Sequence, residues 1–463
     1  MYLNQKTPLL TERKLVEFLA NRRSIGTMLA LSCSVFAVGL SGCGNGGSDA
    51  NTAANTATNA AANTATTSTD TSSGDKLDAS VYDKADVKEV PVGILHSLTG
   101  TMAISETSVK DAEMMAITEI NAKGGVMGKQ IKPITEDGAS DWDTFKTKAE
   151  KLITQDKAAA VFGCWTSVSR KTVLPVFEKY QGLLWYPVQY EGMETSPNIF
   201  YTGATTNQQI TPAVEWLMKS MNKKKFFLIG SDYVFPRTAN AEIKAQLKGA
   251  GLDPVGEEYT PLGHRDYATI VDKIKAAKPD IIFNSLNGDS NVEFFKQMKA
   301  VGMTAKDFPT MSVSIAEPEI AAIGPDVLAG HYAVWNYFQT TSTPQNKKFV
   351  ADFIKANPKT PYTDDPMEAA YFGVYLWKAA VEKAKSFDVA KVRAASNGVS
   401  YMAPGGMVKI DGPTQHVYKT VRIGVVEPSG QFKEVWNSGQ PVKPDPYLDG
   451  YAWAKGLKDK LKT

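Results

Sequence analysis

Strands and amphipathic helices alternate along most of this chain, and that alternation limits the possible folds more than any other feature. Residues 90–95 form a buried apolar stretch typical of a strand, and apolar residues at spacings of three and four between Val109 and Ile120 predict the helix that follows. Further strands are predicted at 131–135, 158–163 and 183–187. Strands separated by single helices form parallel sheets that are covered on both faces.

A second series of the same kind follows, so we expect an α/β protein with two doubly wound lobes. Its helices are predicted at 211–221, 236–248, 266–277 and 291–301, and its strands at 226–229, 255–259 and 280–283. A long helix rich in aromatic residues is predicted near 367–385, followed by strands at 407–410, 419–426 and 432–436. Periodicity alone leaves open which lobe receives these last strands.

The N-terminal residues have the pattern of a bacterial lipoprotein signal peptide. Residues 1–42 combine basic side chains with a short apolar stretch and end in Leu40-Ser41-Gly42, directly before Cys43. In such a lipobox the cysteine is lipidated, which predicts Cys43 as the lipidation site. The apolar stretch is too short for a comfortable membrane-spanning helix. We therefore expect a periplasmic protein that a lipid anchors to the cell membrane.

Residues 43–85 are expected to form a disordered tether. Most of this segment consists of Asn, Thr, Ala, Ser and Gly, which cannot bury enough apolar surface to offset the entropy of ordering. Thirty such residues span about 30 Å on average as a random coil. The tether would let the folded lobes stand clear of the bilayer.

Composition argues against nucleic-acid binding and against several kinds of catalysis. Residues 1–42 hold five of the 51 basic and two of the 49 acidic side chains, which leaves the remainder with a net charge of about −1 and no basic field for nucleic acid. After Cys43 the sequence has one cysteine, Cys164, so we expect no intramolecular disulfide. The four histidines have no metal-ligand spacing, and P-loop, nucleophile-elbow and C-x-x-C motifs are missing. We expect no cofactor, metal site or catalytic residue.

Polar and aromatic residues recur where the predicted strands end, and doubly wound sheets bind ligands at that edge. In the first series they are Ser97, Trp165, Thr166, Ser167, Tyr186 and Gln189, and in the second Tyr233, Phe235, Asn287, Gly288 and Asp289. Several also have structural explanations, since Ser167 can cap the next helix and Asn287-Gly288 is a common turn pair. The recurrence at equivalent strand ends predicts a binding site.

Several of these segments resemble a known family. They are Phe162-Gly163-Cys164-Trp165-Thr166-Ser167, Tyr186-Pro187, Tyr190-Glu191-Gly192, Gly230-Ser231-Asp232-Tyr233 and Pro444-Asp445-Pro446-Tyr447. They resemble the amide- and urea-binding branch of the type I periplasmic binding proteins, and most nearly the substrate-binding components of urea ABC transporters. The resemblance extends over about residues 88–450, and the branched-chain amino-acid binders are more distant relatives.

The resemblance implies two Rossmann-like lobes, joined by a three-stranded hinge, that close over a ligand. It implies a first lobe at 88–209 and 340–405, a second lobe at 210–339 and 406–447, and a C-terminal tail at 448–463. It also implies which residues line the pocket, namely Trp165, Ser167 and Tyr186 from the first lobe, and Tyr233, Phe235 and Gly288 from the second. Val188 and Gln189 depart from the amide-sensor members of the branch.

A small, planar, neutral ligand such as urea suits these side chains. Trp165, Tyr186 and Tyr233 can enclose its faces, while Ser167, Gln189 and Asp289 can satisfy its edges. Full satisfaction matters, because each unmatched buried polar group costs about 1–3 kcal/mol. An amino acid is the alternative ligand. Its ammonium would need Asp289, Glu106 or Glu317, and its carboxylate would need Thr166, Ser167 and Ser97.

The expected function is therefore capture of urea by closure of two lobes and delivery to an ABC-type permease that works with cytoplasmic ATPases. Short-chain amides or branched-chain amino acids are alternative ligands for the same kind of transporter. A ligand-sensing subunit of a signalling complex is a second alternative, which the lipobox disfavours. An extracytoplasmic amidase is the least favoured function, since catalytic motifs are missing.

Overall fold

The computed structural model describes residues 76–461, and its first half repeats one strand–helix unit. The opening elements are β1 (Glu89–His96), α1 (Ala103–Ala122), β2 (Gln130–Asp137), α2 (Trp142–Thr154), β3 (Val161–Gly163), α3 (Ser167–Tyr180), β4 (Leu184–Tyr186) and β5 (Ile199–Tyr201). Local chemistry sets these boundaries. Asp141, for example, caps α2 by accepting a hydrogen bond from the backbone nitrogen of Thr144 at 2.8 Å.

The second series begins after a short 3-10 helix at Thr206–Gln208. Its elements are α4 (Ile210–Lys219), β6 (Phe226–Ser231), α5 (Val234–Gly249), β7 (Gly256–Thr260), α6 (Ala268–Ala277), β8 (Ile281–Ser285), α7 (Asp289–Ala300), β9 (Thr310–Ser312), α8 (Glu317–Ile323), α9 (Pro325–Leu328) and β10 (Tyr332–Trp335). The strands β6 and β8 are buried along their whole length, as expected for the centre of a parallel sheet.

The remaining elements complete both lobes. They are α10 (Pro344–Ala356), α11 (Asp365–Ala384), α12 (Val389–Ser396), β11 (Ser400–Ala403), β12 (Gly406–Asp411), β13 (His416–Tyr418), β14 (Arg422–Val426), β15 (Phe432–Asn437) and α13 (Leu457–Leu461). Short 3-10 helices also lie at Ala79–Asp83 and Ala452–Ala454. None of the helices in the described part of the chain is long and apolar enough to cross a membrane.

Two sheets form the centres of the two lobes. The first is eight-stranded, in the order β11-β12-β13-β5-β4-β3-β1-β2, and the second is seven-stranded, in the order β15-β14-β10-β9-β8-β6-β7. In the first sheet the neighbouring strands β5, β4, β3, β1 and β2 are parallel to one another. In the second sheet the neighbouring strands β10, β9, β8, β6 and β7 are parallel to one another. Helices cover both faces, so each lobe is doubly wound, and the predicted two-lobe α/β fold is confirmed.

Apolar side chains fill the space between each sheet and its helices. In the first lobe the core includes Phe162, Trp185 and Trp377, and the Trp185 ring stacks on Phe200 with 4.2 Å between centroids. In the second lobe separate clusters cover the two faces of the sheet. Trp185 is therefore a core residue.

The chain crosses between the lobes three times, at about residues 202–209, 336–340 and 419–421. Asn336 joins all three crossings, because its Nδ2 donates to the carbonyl oxygens of Gln208 and Thr420, each at 3.0 Å. The Arg422 Nε in turn donates to the Asn336 carbonyl oxygen at 3.1 Å. These contacts fix the hinge.

The strand pairing corrects the expected second-lobe segment at 406–447. β12 and β13 lie in the first sheet, and the chain reaches the second sheet only at β14. The reason is a tight hairpin, in which Ala403 pairs with Gly406 and so keeps β12 beside β11. The boundary between the lobes therefore falls near residue 419.

The described chain also corrects the C-terminal end of the expected tether at 43–85. Leu77 and Ala79 are buried, and the backbone nitrogen of Leu77 donates to the Tyr180 carbonyl oxygen at 2.8 Å. Asp83 accepts hydrogen bonds from Ser386 and Phe387 at 2.6 and 2.7 Å. Residues 76–85 thus pack on the first lobe. The signal peptide, Cys43 and the rest of the tether lie outside the described residues.

Candidate functional site

The candidate site lies where the carboxyl ends of the parallel strands of both sheets face each other. At the candidate site, hydrogen bonds join the two lobes at three places. Gln189 Nε2 donates to the Val313 carbonyl oxygen at 2.8 Å, and Ser105 Oγ donates to Glu319 Oε1 at 2.7 Å. The third joins the Asp289 backbone nitrogen to the Thr101 carbonyl oxygen at 3.4 Å. The lobes are therefore closed on each other.

The loop after β3 brings Trp165, Thr166 and Ser167 to this interface. Cys164 turns the chain with a positive φ of 64°, and it is buried. Thr166, rather than Ser167, caps α3 by accepting from the Ser169 backbone nitrogen at 3.1 Å. Ser167 is thereby left to donate its hydroxyl proton to a carboxylate oxygen of Glu191.

A buried ion cluster contacts Ser167. Its charged residues are not among the predicted site residues. The Arg170 guanidinium is fully buried and donates to Glu194 at 2.8 Å, to Glu191 at 3.0 Å and to Ser167 Oγ at 3.1 Å. It also lies 4.4 Å from the centroid of the Tyr190 ring. Burial opposes charge here, but Glu194 and Glu191 outweigh it and keep the pKa of Arg170 above its ordinary value.

In Glu194, too, the effect of burial on the pKa is outweighed by neighbouring charges. Burial works to raise its pKa, but the neighbouring Arg170 and Lys171 lower that pKa to about 2. The cluster therefore holds a charged Arg170 and a charged Glu194, and Lys171, 3.1 Å from Glu194, supplies a second cation. Its sequence signal was the spacing of Ser167 and Arg170, which lie one turn apart on α3 and so face the same side.

Tyr186 and Gln189 follow β4 on the neighbouring strand end. The Tyr186 hydroxyl donates to the Trp165 carbonyl oxygen, and burial raises the pKa of that hydroxyl, so it stays neutral. Besides its bond to Val313, Gln189 Nε2 lies 3.1 Å from Ser314 Oγ. Gln189 Oε1 is buried and has no hydrogen-bond partner among the described residues. This unmatched acceptor stands directly at the lobe interface.

The second lobe contributes Tyr233 and Asn287. Tyr233 is the residue before α5, its hydroxyl interacts with Asn287, and burial raises its pKa. Asn287 is held in place, because its Oδ1 accepts from Ser314 Oγ at 2.9 Å and its Nδ2 donates to the Ser285 carbonyl oxygen at 3.1 Å. Phe235 lies instead in the second-lobe core.

Gly288 and Asp289 of the second lobe lie against Thr101 of the first lobe. Gly288 has a φ of 59°, and a Cβ there would lie 2.6 Å from the Thr101 carbonyl oxygen of the first lobe. Glycine is therefore required by both conformation and space. Asp289 begins α7 and is half-buried.

Ser97 and Glu106 are both engaged within the first lobe. The Ser97 backbone nitrogen donates to Glu106 Oε2 at 2.7 Å, and Ser97 Oγ accepts from the Ser140 backbone nitrogen at 3.1 Å. His96 lies between Glu106 and Glu113. Burial alone would lower its pKa, but Glu113 and Glu106 raise it to about 9, so His96 is protonated at neutral pH.

The described residues contain no group of three or more His, Cys, Asp or Glu side chains arranged to hold a metal ion. A surface cavity of about 640 Å³ is lined by Asn207, Asp411, Asp445 and Tyr451 and contains none of the strand-end residues. The convergence of strand ends, rather than cavity size, therefore locates the candidate site.

Comparison with known proteins agrees with this fold. Residues 90–452 match the family described as "Periplasmic binding protein domain". The chain belongs to the periplasmic binding protein family. Among curated relatives of this binding protein, Leu/Ile/Val-binding protein homolog 7 of Brucella melitensis is 27% identical over 340 residues, covering 69% of this chain and 82% of the relative. Leu/Ile/Val-binding protein BraC3 of Rhizobium johnstonii is 24% identical, covering 66% and 83%.

Solved structures show the same type I fold. The solute-binding protein of an ABC transporter from Rhodopseudomonas palustris HaA2, in complex with p-hydroxybenzoic acid, superposes with a TM-score of 0.71 at 25% identity, covering 79% of this chain and all of that one. LivJ of Streptococcus pneumoniae, in complex with isoleucine, superposes with a TM-score of 0.68 at 19% identity, covering 77% and 100%. The relatives are solute-binding proteins, and this chain is likewise a binding protein and not an enzyme.

Proposed function

We propose that this periplasmic binding protein captures urea between its two lobes and delivers it to an ABC permease. One observation carries the proposal. The buried carboxylates beside the candidate site are each paired with a cation, Glu191 with Arg170 and Glu194 with both Arg170 and Lys171. An amide acceptor, Gln189 Oε1, is left unmatched by the described residues. Such a site favours a neutral ligand that donates hydrogen bonds.

The charge balance disfavours an amino-acid ligand. Glu106, one candidate partner for an ammonium, is occupied by the Ser97 backbone nitrogen and His96. Glu317 accepts a hydrogen bond from the Gln339 backbone nitrogen at 2.7 Å, and burial raises its pKa to about 8. Of the three candidate partners, only Asp289 remains for the ammonium group of an amino acid.

The same balance disfavours a carboxylate ligand. Arg170 is the buried cation beside Ser167, and Glu191 and Glu194 already use its donors. Binding a benzoate or an amino-acid carboxylate there would break ion pairs that are fully desolvated, which is costly. Urea is neutral and needs no counter-ion. It presents one carbonyl acceptor and two NH₂ donors.

The size of urea suits an interface this tight. Trp165 and Tyr186 from one lobe and Tyr233 from the other supply apolar ring surface, and Gln189, Asn287 and backbone groups supply polar edges. Urea has four heavy atoms, and at about −1.5 kcal/mol per atom its affinity ceiling corresponds to a Kd of roughly tens of μM. Closure of the two lobes would exclude water from the bound ligand.

The names of the relatives point to ligands other than urea. Leu/Ile/Val binding and p-hydroxybenzoate binding are attributes of those proteins, and short-chain amides differ from urea by one small group. Transport remains the proposed role for all of these ligands, with Cys43 as the lipid anchor and a permease with cytoplasmic ATPases as partner. Ligand would bias an existing equilibrium toward the closed form that the permease recognises.

Calorimetric titration of the purified full chain tests the proposal. The titrants are urea, formamide, acetamide, leucine and p-hydroxybenzoate, each at the same pH and ionic strength. We expect saturable heat with urea and a much weaker response to the others. Tight binding of leucine or p-hydroxybenzoate with silence toward urea would overturn the urea assignment and leave the solute-binding role.

A further inference from the structure

Three buried carboxyl groups meet beside the hinge, and none of them has a role in the proposed pocket. Glu317 and Glu319 come from α8 in the second lobe, and Asp364 caps α11 in the first lobe. Their exposed fractions are 3%, 2% and 0%. We call these three residues the hinge carboxylate cluster.

The cluster joins the two lobes. Glu319 Oε1 accepts the hydroxyl proton of Ser105 on α1 across the interface at 2.7 Å. Glu317 Oε1 accepts from the Gln339 backbone nitrogen in the second crossing, and the Gln339 side chain accepts from the Thr363 backbone nitrogen at 2.7 Å. Opening the lobes would therefore separate Glu319 from Ser105 and expose it to water.

The cluster has a surplus of acid. The further titratable groups around it are Tyr337, Tyr362, Asp365 and Glu368, and Lys419 and Arg422 are nearby cations. Lys419 pairs with Asp365 at 3.2 Å, and Arg422 pairs with Glu434 at 2.5 Å. Neither cation is paired with a member of the cluster in the described structure.

Two oxygen atoms of the cluster are also unmatched. Glu317 Oε2 and Asp364 Oδ2 are buried and have no hydrogen-bond partner within residues 76–461. A buried carboxylate oxygen in that position is far more costly when charged than when protonated. Three buried acids at one interface cannot all stay ionised at low cost, since like charges repel and burial disfavours each charge.

We propose that closure of the lobes on a ligand takes up a proton from solvent, and that the hinge carboxylate cluster holds it. Burial, followed by the nearby Glu319 and Asp365 charges, raises the pKa of Glu317 to about 8 in the closed form. Burial likewise raises the pKa values of Glu319 and Asp364. Where opening admits water, these pKa values return toward those of ordinary carboxyl groups.

The direction of the pH effect follows from linkage. Because the closed form binds protons more tightly than the open form, low pH favours closure. The stabilisation is complete below the ordinary carboxyl pKa and is lost as pH rises to about 8, the Glu317 value in the closed form. Ligand affinity should therefore fall with rising pH across that window, by up to about tenfold per pH unit for one proton.

Calorimetry in two buffers measures the proton directly. The full chain is titrated with urea at pH 7 in phosphate and in Tris, whose ionisation enthalpies differ, and the difference in heat gives the number of protons taken up. We expect about one per ligand. Equal heats in both buffers would overturn the proposal.

Glu317→Gln and Glu319→Gln locate the proton, since each keeps an acceptor for its hydrogen bond and removes the titrating group. We expect at least one of them to lower the uptake toward zero. Glu382→Gln, on the exposed face of α11 and paired with Lys378 at 2.6 Å, is the matched control and should leave it unchanged. Undiminished uptake in both cluster variants would overturn the assignment.

The inference rests on the proposed function in one respect, since it needs a ligand that closes the lobes. If urea gives no heat, the urea assignment fails, and p-hydroxybenzoate or leucine serves as titrant for the proton measurement. If the variants do not fold, the affinity of the unaltered chain between pH 6 and pH 8 decides the matter. An affinity that does not change with pH would count against proton uptake whatever the ligand.

Discussion

At the scale of single residues, Arg170 shows how one buried charge can hold the side chains around a candidate site. Its guanidinium holds Glu191 and Glu194, contacts Ser167, and lies against Tyr186 and Tyr190. Because each nitrogen of the guanidinium donates to a defined partner, the arginine fixes the Ser167 hydroxyl and the neighbouring tyrosine rings at the candidate site. We therefore expect Arg170 to position other residues rather than to bind a ligand charge directly.

Removing this charge should strongly destabilise the protein. Arg170→Met leaves the buried Glu191 without its counter-ion and Glu194 with only the partly exposed Lys171, and we expect the free energy of unfolding to fall by about 3–5 kcal/mol. Lys171→Met is the matched control, because Lys171 is partly exposed and pairs with Glu194 at 3.1 Å. It should cost about 1 kcal/mol or less. Guanidinium chloride unfolding is the suitable measurement, since urea is the proposed ligand, and equal losses in the two variants would contradict the assigned role.

Gln189 is expected to determine affinity rather than stability. Gln189→Leu keeps the approximate size but removes the free Oε1 and the bond to Val313, so ligand affinity should fall by about 5- to 150-fold, equivalent to 1–3 kcal/mol. Gln345→Leu, an exposed glutamine on α10, is the control and should bind normally. Unchanged affinity in Gln189→Leu would remove Gln189 from the site.

At the scale of elements, the close packing of β1 and β3 depends on one glycine. Gly163 has a φ of 144°, and a Cβ there would lie 2.0 Å from the Leu95 carbonyl oxygen. A side chain at that position would push apart the two strands whose ends carry the candidate site. The strand spacing and the position of Trp165 are thus linked.

We expect Gly163→Ala to lower the free energy of unfolding by at least about 1–3 kcal/mol, the cost of a strained backbone, and to weaken ligand binding. Gly373→Ala in α11 is the control, because its Cβ would meet Thr202 at an ordinary contact distance of 3.6 Å. That substitution should be neutral or stabilising by about 0.5–1 kcal/mol, since alanine favours helix. Chemical unfolding measures the stability of the two variants, and calorimetry measures their ligand binding. Equal stability of Gly163→Ala and Gly373→Ala would refute the strand-spacing argument.

Elements with strong periodicity were predictable and short ones were not. The periodic stretches at β1, α1, β6 and α5 were all found close to the predicted residues. Three-residue strands such as β5 and β9 carry too few residues to show a period. The site residues followed from their positions after strands, whereas the partners of Arg170 lie 21 and 24 residues along the chain and only the fold brings them together.

At the scale of the whole molecule, the hinge depends on Asn336. Asn336→Ala would remove the donor that joins the Gln208 and Thr420 carbonyl groups, leaving both buried acceptors without it. We expect the free energy of unfolding to fall by about 1–3 kcal/mol. Asn357→Ala serves as control, because Asn357 makes one local contact to the Phe353 carbonyl oxygen at the end of α10. A loss no larger than that of Asn357→Ala would mean that other contacts hold the hinge.

The pairing of β13 with β5 has a consequence for synthesis on the ribosome. Tyr201 pairs with His416, so the chain must be made almost to its end before β5 gains its neighbour on that side. Until then β5 is an open sheet edge, which can pair with another nascent chain and seed aggregation. Polypeptides truncated before residue 416 should therefore be aggregation-prone even though they contain every predicted pocket residue.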